Sequence, residues 1–476
     1  MKTSTSFSLF LGGRLVQGRG GWHDLRRVDD QQALGRISLA GPEDFEAAVA
    51  AAEASRPILA QEAGHQRQQR LLEIASALAD RREAFEDLLI AEAGKPLRHA
   101  RAEVERAIRT FHAAAEESVR IPGEYMDLGM TPQGKGRQAW VRPHPIGVCA
   151  FITPFNFPLN LVAHKVAPAL AVGCPWVLKP AEKTPRTALL LGELLSELSC
   201  PLPPGSWSIL PALPAATASL VRNPKVRHLS FTGSAAVGWR LKGEAAHAQV
   251  VLELGGNAGA IVEPDWDLET ALDGCAVAAF AYSGQVCISL QRLWIHQSRF
   301  DQAVEGMKRR ATALRRGPLK EAATEIGPMI DEQAAARVES WIQKAVDAGA
   351  KLHCGGQREG RFLAPAVLTE VPDESPLWRE EVFGPVVCLR PYQDFGQALA
   401  ELNDSEYGLQ ASVFSHDWRR IEQAWSQLEV GQVLIGQAPA WRVDDMPYGG
   451  VKQSGTGREG VRYAMEAMTE PRLLVL

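Results

Sequence analysis

Ile146-Gly-Val-Cys-Ala-Phe-Ile152 is a short apolar run that opens a regular alternation, and that alternation decides the fold. A run of this length reads as a buried strand. Residues 158–172 follow with a helical pattern, Pro175-Trp-Val-Leu-Lys179 with a second strand, 184–199 with a helix and Trp207-Ser-Ile-Leu210 with a third strand. A helix at about 214–222, a strand at 226–231, a helix at 235–245 and a strand at 249–254 complete the series. Short apolar strands alternating with helices predict a parallel, doubly wound sheet that binds ligands at the carboxyl ends of its strands. Asn156, Lys179, Glu182, Gly233, Ser234 and Glu253 stand at those ends.

Upstream, residues 7–16 and roughly 24–39 read as short strands broken by glycine. Helices at 43–55, 65–92 and 96–118 follow, with apolar positions such as Leu71, Leu72, Ile74, Ala75 and Leu78 on one face. Residues 124–141 break that pattern and read as a protruding hairpin. Downstream, a second α/β pattern occupies roughly 258–445, with helices over 268–282, 299–315, 331–348 and 394–402 and strands at 292–296 and 386–392. The last residues, Thr469-Glu-Pro-Arg-Leu-Leu-Val-Leu476, form an apolar strand that a monomer leaves as an exposed edge, which points to oligomerisation.

The 476 residues exceed one ordinary core and predict two domains with a small appendage. Hydrophobic residues make up 46% and charged residues 22%, and the net charge of -5 comes with lysine and arginine scattered among the acids. That distribution argues against a nucleic-acid partner. Seven cysteines, at 149, 174, 200, 275, 287, 354 and 388, show neither a CxxC pair nor metal-ligand spacing. An odd count of this kind fits a reduced cytoplasm without a metal site. The N-terminal apolar run is too short for an export signal, and no stretch reaches the ~20 apolar residues of a membrane span.

Phe280-Ala-Tyr-Ser-Gly-Gln-Val-Cys-Ile-Ser-Leu-Gln-Arg292 supplies the candidate nucleophile, Cys287. A thiol needs a neighbour that takes or stabilises its proton, and a place for the charge its attack creates. Glu253, flanked by Leu252, Leu254, Gly255 and Gly256, is expected to have a raised pKa suited to a general base, or else to pair with a basic residue. Asn156, between Phe155 and Phe157, could donate to an oxyanion or cap the helix that follows. Phe231-Thr-Gly-Ser-Ala-Ala-Val-Gly238 joins a strand, a glycine turn and a helix start, which could receive a pyrophosphate or be ordinary turn chemistry. Lys179 and Glu182 could hold a cofactor ribose or form a solvated pair.

Taken in order, PFNFP, KPAEKTP, FTGSAAVG, LELGG, SGQVC, EEVFGP and MPYGGVKQSGTGREG resemble the aldehyde dehydrogenase superfamily through nearly the whole chain. The resemblance implies a Rossmann-like NAD-binding domain at 1–123 and 142–252, an α/β catalytic domain at 253–446, and bridging segments at 124–141 and 447–476. The hairpin is implied to pair with the C-terminal strand of a partner subunit in a homodimer or homotetramer. Cys287 is implied as nucleophile, Glu253 as the base that activates the deacylating water, and Asn156 with the Cys287 backbone N–H as the oxyanion hole. Lys179 and Glu182 are implied at the adenosine ribose, Ser234 at the pyrophosphate, and Glu381 with Phe383 at the nicotinamide half. Ile152, Thr153, Pro154, Phe155, Gly233, Val237, Leu254 and Gly255 complete the implied cofactor contacts.

The implied reaction is oxidation of an aldehyde to its acid with NAD, with NADP possible. Retention of Glu253 favours hydrolysis over transfer to coenzyme A, and retention of Cys287, Asn156 and Glu253 favours an enzyme over a non-catalytic homologue. LELGGNAGAIV, FAYSGQVCISLQR and RVDDMPYGGVKQSG resemble the branch acting on lactaldehyde, glycolaldehyde and glyceraldehyde-3-phosphate, so a small polar aldehyde is the first expectation and a phosphorylated aldehyde or other semialdehyde the alternative. Arg106, His164, Arg442 and Tyr448 are the candidate substrate contacts. Val286 stands where the phosphorylated-substrate enzymes commonly carry arginine.

Overall fold

The computed structural model describes residues 6–245 and 247–476. Residues 1–5, the start of the N-terminal stretch read above for an export signal, lie outside the described residues. The alternating run forms five parallel strands, in the spatial order Gln249–Glu253, Val226–Thr232, Val148–Ile152, Trp176–Lys179 and Trp207–Ile209. Side chains alternate across the sheet: Cys149 and Phe151 join one apolar layer, and Val148, Ala150 and Ile152 join the other. Chain order reverses between Val148–Ile152 and Val226–Thr232. The helices that follow these two strands, Asn160–Val172 and Ala235–Glu244, pack on opposite faces and open a crevice at the carboxyl ends.

The second sheet runs Lys351–Cys354, Ala366–Thr369, Val386–Tyr392, Leu290–His296, Ala258–Val262, Gln410–Phe414 and Gln432–Ile435, all parallel except the first. Ala258–Val262 is fully buried, and its Ala-Gly-Ala opening has weak strand preference, which is why the sequence pattern passes over it. The chain crosses from the first sheet to the second through Leu254-Gly-Gly-Asn257. Carboxyl ends of the first sheet therefore face amino ends of the second, and the site lies between them.

Three local expectations change. Residues 65–92 form two helices, Gly64–Asp80 and Arg82–Ala93, because Arg81 leaves helical geometry at φ -103 and ψ 18. The short strands expected over roughly 24–39 are present as the antiparallel pair Trp22–Arg26 and Ala33–Ser38, but the break between them falls at Gln31, φ 61, and not at a glycine. The helix at 214–222 is a 3-10 turn, Pro214–Thr217, followed by the short helix Ala218–Val221.

The pairing of the C-terminal strand is also corrected. Thr469–Val475 pairs with Gln138–Pro145 of its own chain, Leu474 opposite Trp140, and Glu124–Asp127 completes a three-stranded antiparallel sheet. Helix Val461–Ala467 causes this by burying Val461, Ala464 and Met465 in the layer of Asn160–Val172. Met468 then accepts the Ile146 N–H at 3.0 Å, which sets the strand register. No helix among the described residues is long and apolar enough to cross a membrane.

Candidate active site

Helix Leu268–Phe280 ends just before the cysteine segment. Tyr282 and Ser283 take left-handed geometry at φ 49 and 55, a costly conformation for non-glycine residues. Two hydrogen bonds hold it: Tyr282 OH donates to the Ala93 carbonyl and Ser283 Oγ to the Gly327 carbonyl, both at 2.7 Å. Gly284 continues the turn at φ 69, where a Cβ would lie 2.0 Å from the Gly384 carbonyl oxygen. Across the crevice, a Cβ on Gly256 would lie 2.5 Å from the Cys287 carbonyl oxygen, so the Leu-Gly-Gly crossover packs directly on the nucleophile's backbone.

Cys287, Glu253 and Asn156 all line one cavity of about 500 Å³. The Cys287 sulfur stands 3.1 Å from the Tyr448 hydroxyl. Burial pushes the thiol up to about 12, the Tyr448 hydrogen bond and Arg442 opposing the shift and Glu381 and Glu253 adding to it. Glu253 closes its strand, and among the described residues neither of its carboxyl oxygens has a hydrogen-bond partner. Burial raises it well above the usual carboxylate range, Glu459 adding to the shift and Arg442 and Lys165 opposing it. Asn156 Nδ2 donates to the Gln285 carbonyl at 3.0 Å, tying its loop to the nucleophile's loop. It does not cap the next helix, because Glu103 accepts the Leu159 and Asn160 N–H groups there.

Arg106 and Arg442 line the far wall. Arg106 is bonded to Asp444 at 2.7 Å, and the same carboxylate oxygen meets His164 Nε2 at 2.8 Å. Arg442 lies over the Tyr448 ring at 3.7 Å, 3.4 Å from Glu459, with its Nε 3.9 Å from Asp444.

The crevice fits a dinucleotide. Ser234 gives no side-chain cap to helix Ala235–Glu244, so the N–H groups of its first turn remain for a pyrophosphate. Among the described residues, the buried Thr153 and Thr232 hydroxyls at neighbouring strand ends have no hydrogen-bond partner. Glu381 accepts the Gly256 N–H at 3.2 Å, and burial raises it to about 7 against that hydrogen bond. Phe383, at φ 47, meets Phe155 edge-on at 6.0 Å. Among the described residues, no group of three His, Cys, Asp or Glu side chains gathers to hold a metal ion.

The profile of the Aldehyde dehydrogenase family matches residues 22–474. The chain belongs to the aldehyde dehydrogenase family. It is 42% identical over 447 residues to 3-sulfolactaldehyde dehydrogenase of Priestia megaterium, covering 94% of this chain and 93% of that one. It is 35% identical over 463 residues to the NADP(+) succinate-semialdehyde dehydrogenase of Escherichia coli, covering 95% and 94%. The crystal structure of aldehyde dehydrogenase 21 from Physcomitrella patens, in complex with the reaction product succinate, superposes with a TM-score of 0.97 at 42% identity, covering 100% of this chain and 98% of that one. This protein is therefore an oxidoreductase that uses NAD(P).

In this aldehyde dehydrogenase the cavity gathers Cys287, Glu253, Asn156, Pro154, Phe155, Gly233, Ser234, Leu254, Gly255, Glu381, Phe383, Arg106, Arg442 and Tyr448. Other candidates stand outside that lining. Ile152 and Thr153 are buried at the strand end, and Val237 is half-buried on its helix. Lys179 and Glu182 bond each other at 3.0 Å one strand further along. His164 lies behind the wall against Asp444. Sequence reasoning missed Asp444, Glu459 and Lys165, although Glu459 offered a signal in its setting between glycines in Gly-Arg-Glu-Gly. Lys165 Nζ donates to Glu459 at 3.0 Å, and both are buried.

Proposed function

We propose that this aldehyde dehydrogenase oxidises a short aldehyde whose far end is an anion, a carboxylate or a sulfonate, to the corresponding acid. One observation carries the reading. Two guanidinium groups, Arg106 and Arg442, line the cavity, while its two carboxyl groups, Glu253 and Glu381, are pushed toward their neutral forms. The wall is thus net cationic and favours an anionic ligand. Relatives named for 3-sulfolactaldehyde and succinate semialdehyde, and a neighbour holding succinate, support it. A neutral lactaldehyde or glycolaldehyde, the first expectation from sequence, brings no anion to these two guanidinium groups, whose protein partners are Asp444 and Glu459. Val286 gives a phosphorylated aldehyde no third cation beside the nucleophile.

In this reading Cys287 adds to the aldehyde carbon. The second Nδ2–H of Asn156, beyond the one given to Gln285, holds the resulting alkoxide together with the Cys287 backbone N–H. NAD(P), when bound, supplies the hydride acceptor. The thioester left on Cys287 is cleaved by water whose proton goes to Glu253, a stronger base for being buried. Burial raises Glu182, but Lys179, a backbone hydrogen bond and Lys183 together bring it below the usual carboxylate value, and that carboxylate opposes a 2′-phosphate at the ribose position, so NAD is preferred over NADP. Residues 1–123 with 142–252 serve as cofactor domain and 253–446 as catalytic domain. The half-exposed Leu473, Leu474 and Val475 support a homodimer or homotetramer.

The test compares kcat/KM for succinic semialdehyde and 3-sulfolactaldehyde with butanal and lactaldehyde. The anionic pair leads by about tenfold or more. Equal values for the neutral pair contradict the reading.

A further inference from the structure

The Tyr448 ring is buried at 2% exposure and packs with Ile288 and Leu409. Its loop is fixed by paired backbone hydrogen bonds with Glu459, one of them Tyr448 N–H to the Glu459 carbonyl at 3.0 Å. A phenylalanine fills the same volume, so a purely lining role has no use for the hydroxyl. That hydroxyl nevertheless has one hydrogen-bond partner among the described residues, the Cys287 sulfur at 3.1 Å. The Arg442 guanidinium covers the ring face at 3.7 Å and draws density from it, which makes the O–H a better donor.

We propose that Tyr448 is a catalytic residue whose O–H donates to the Cys287 sulfur and stabilises it as the thiolate. The proposal rests on the reading of Cys287 as nucleophile. It answers a need that the cavity creates. Burial disfavours a negative charge on the sulfur, and Glu381 and Glu253 act in the same direction to the extent that they are ionised. Arg442 and Tyr448 act the other way, and only Tyr448 forms a hydrogen bond with the sulfur. Hydrogen bonds to charged groups are the stronger class, and a thiolate in a dry site depends on them.

Tyr448→Phe removes the hydroxyl and leaves the ring beneath Arg442. The experiment is iodoacetamide alkylation of the full-length protein near neutral pH, read by mass spectrometry on the peptide that carries Cys287, so that the other six cysteines do not contribute. Tyr448→Phe slows alkylation of Cys287 by about three- to tenfold, because the thiolate fraction falls while its intrinsic nucleophilicity rises only in part. Lower kcat with unchanged KM accompanies it. An unchanged alkylation rate overturns the proposal. A slowed rate in an enzyme that prefers neutral aldehydes supports the role of Tyr448 and overturns the anionic-substrate reading alone. Aldehyde oxidation retained by Cys287→Ala overturns the nucleophile and the proposal with it.

Discussion

Arg106 donates to Asp444 at 2.7 Å, joining a helix of the first sheet's layer to a loop 338 residues later in the chain. The carboxylate is buried, yet the His164 and Arg106 hydrogen bonds and charges hold it far below the usual carboxylate range. Arg106 is thereby aimed along the cavity wall.

Asp444→Asn frees Arg106 from that charge. Steady-state kinetics with succinic semialdehyde then show KM raised by about tenfold with kcat largely kept, the signature of lost ground-state binding. An unchanged KM means that Arg106 holds its place without Asp444.

The acid limb of stability follows from Glu459. Burial opposes its ionisation, but Lys165, His164 and Arg442 bring it from 4.5 down to about 2. A carboxyl depressed on folding stabilises the protein above its unfolded value, and that contribution is lost as pH falls from 4.5 toward 2. Asp444 acts with the same sign, its contribution disappearing below its unfolded value of 3.8. Glu381 acts oppositely: its contribution is full below 4.5 and lost as pH rises through about 7. Calorimetry of Glu459→Gln shows a flatter acid limb and a loss of ~3–5 kcal/mol at neutral pH, because Lys165 is left buried without its counter-ion. A steep acid limb in this variant contradicts the assignment.

Cofactor choice turns on Glu182. Glu182→Ser removes the carboxylate that opposes a 2′-phosphate and raises the NADP-to-NAD ratio of kcat/KM by about tenfold or more. A constant ratio shows that charge at this position does not select the cofactor.

Much of this was legible in the chain because the parallel strands after Ile146 are continuous apolar runs separated by helical spacing. The apolar residues and glycines around Glu253 marked it as a candidate base, and the segment around Cys287 stood out by its small residues. Ala258–Val262 was not legible, because it opens Ala-Gly-Ala and leaves only Ile261 and Val262 with strand preference. Nor was the break at Arg81, which interrupts an otherwise unbroken helical stripe. Asp444 could not be read at all: its role comes from Arg106 and His164, 338 and 280 residues away in sequence. The same holds for the strand pairing of Leu474 with Trp140, which depends on where helix Val461–Ala467 docks.

The decisive measurement is the mass of the Cys287 peptide in Glu253→Gln protein mixed with succinic semialdehyde and NAD. Oxidation of the aldehyde after it has added to the sulfur, followed by slowed hydrolysis, leaves a succinyl thioester on Cys287, with a burst of about one NADH per active site before slow turnover. Steady release of succinate at the unsubstituted rate, with no acyl mass on Cys287, contradicts both the covalent role of Cys287 and the hydrolytic role of Glu253.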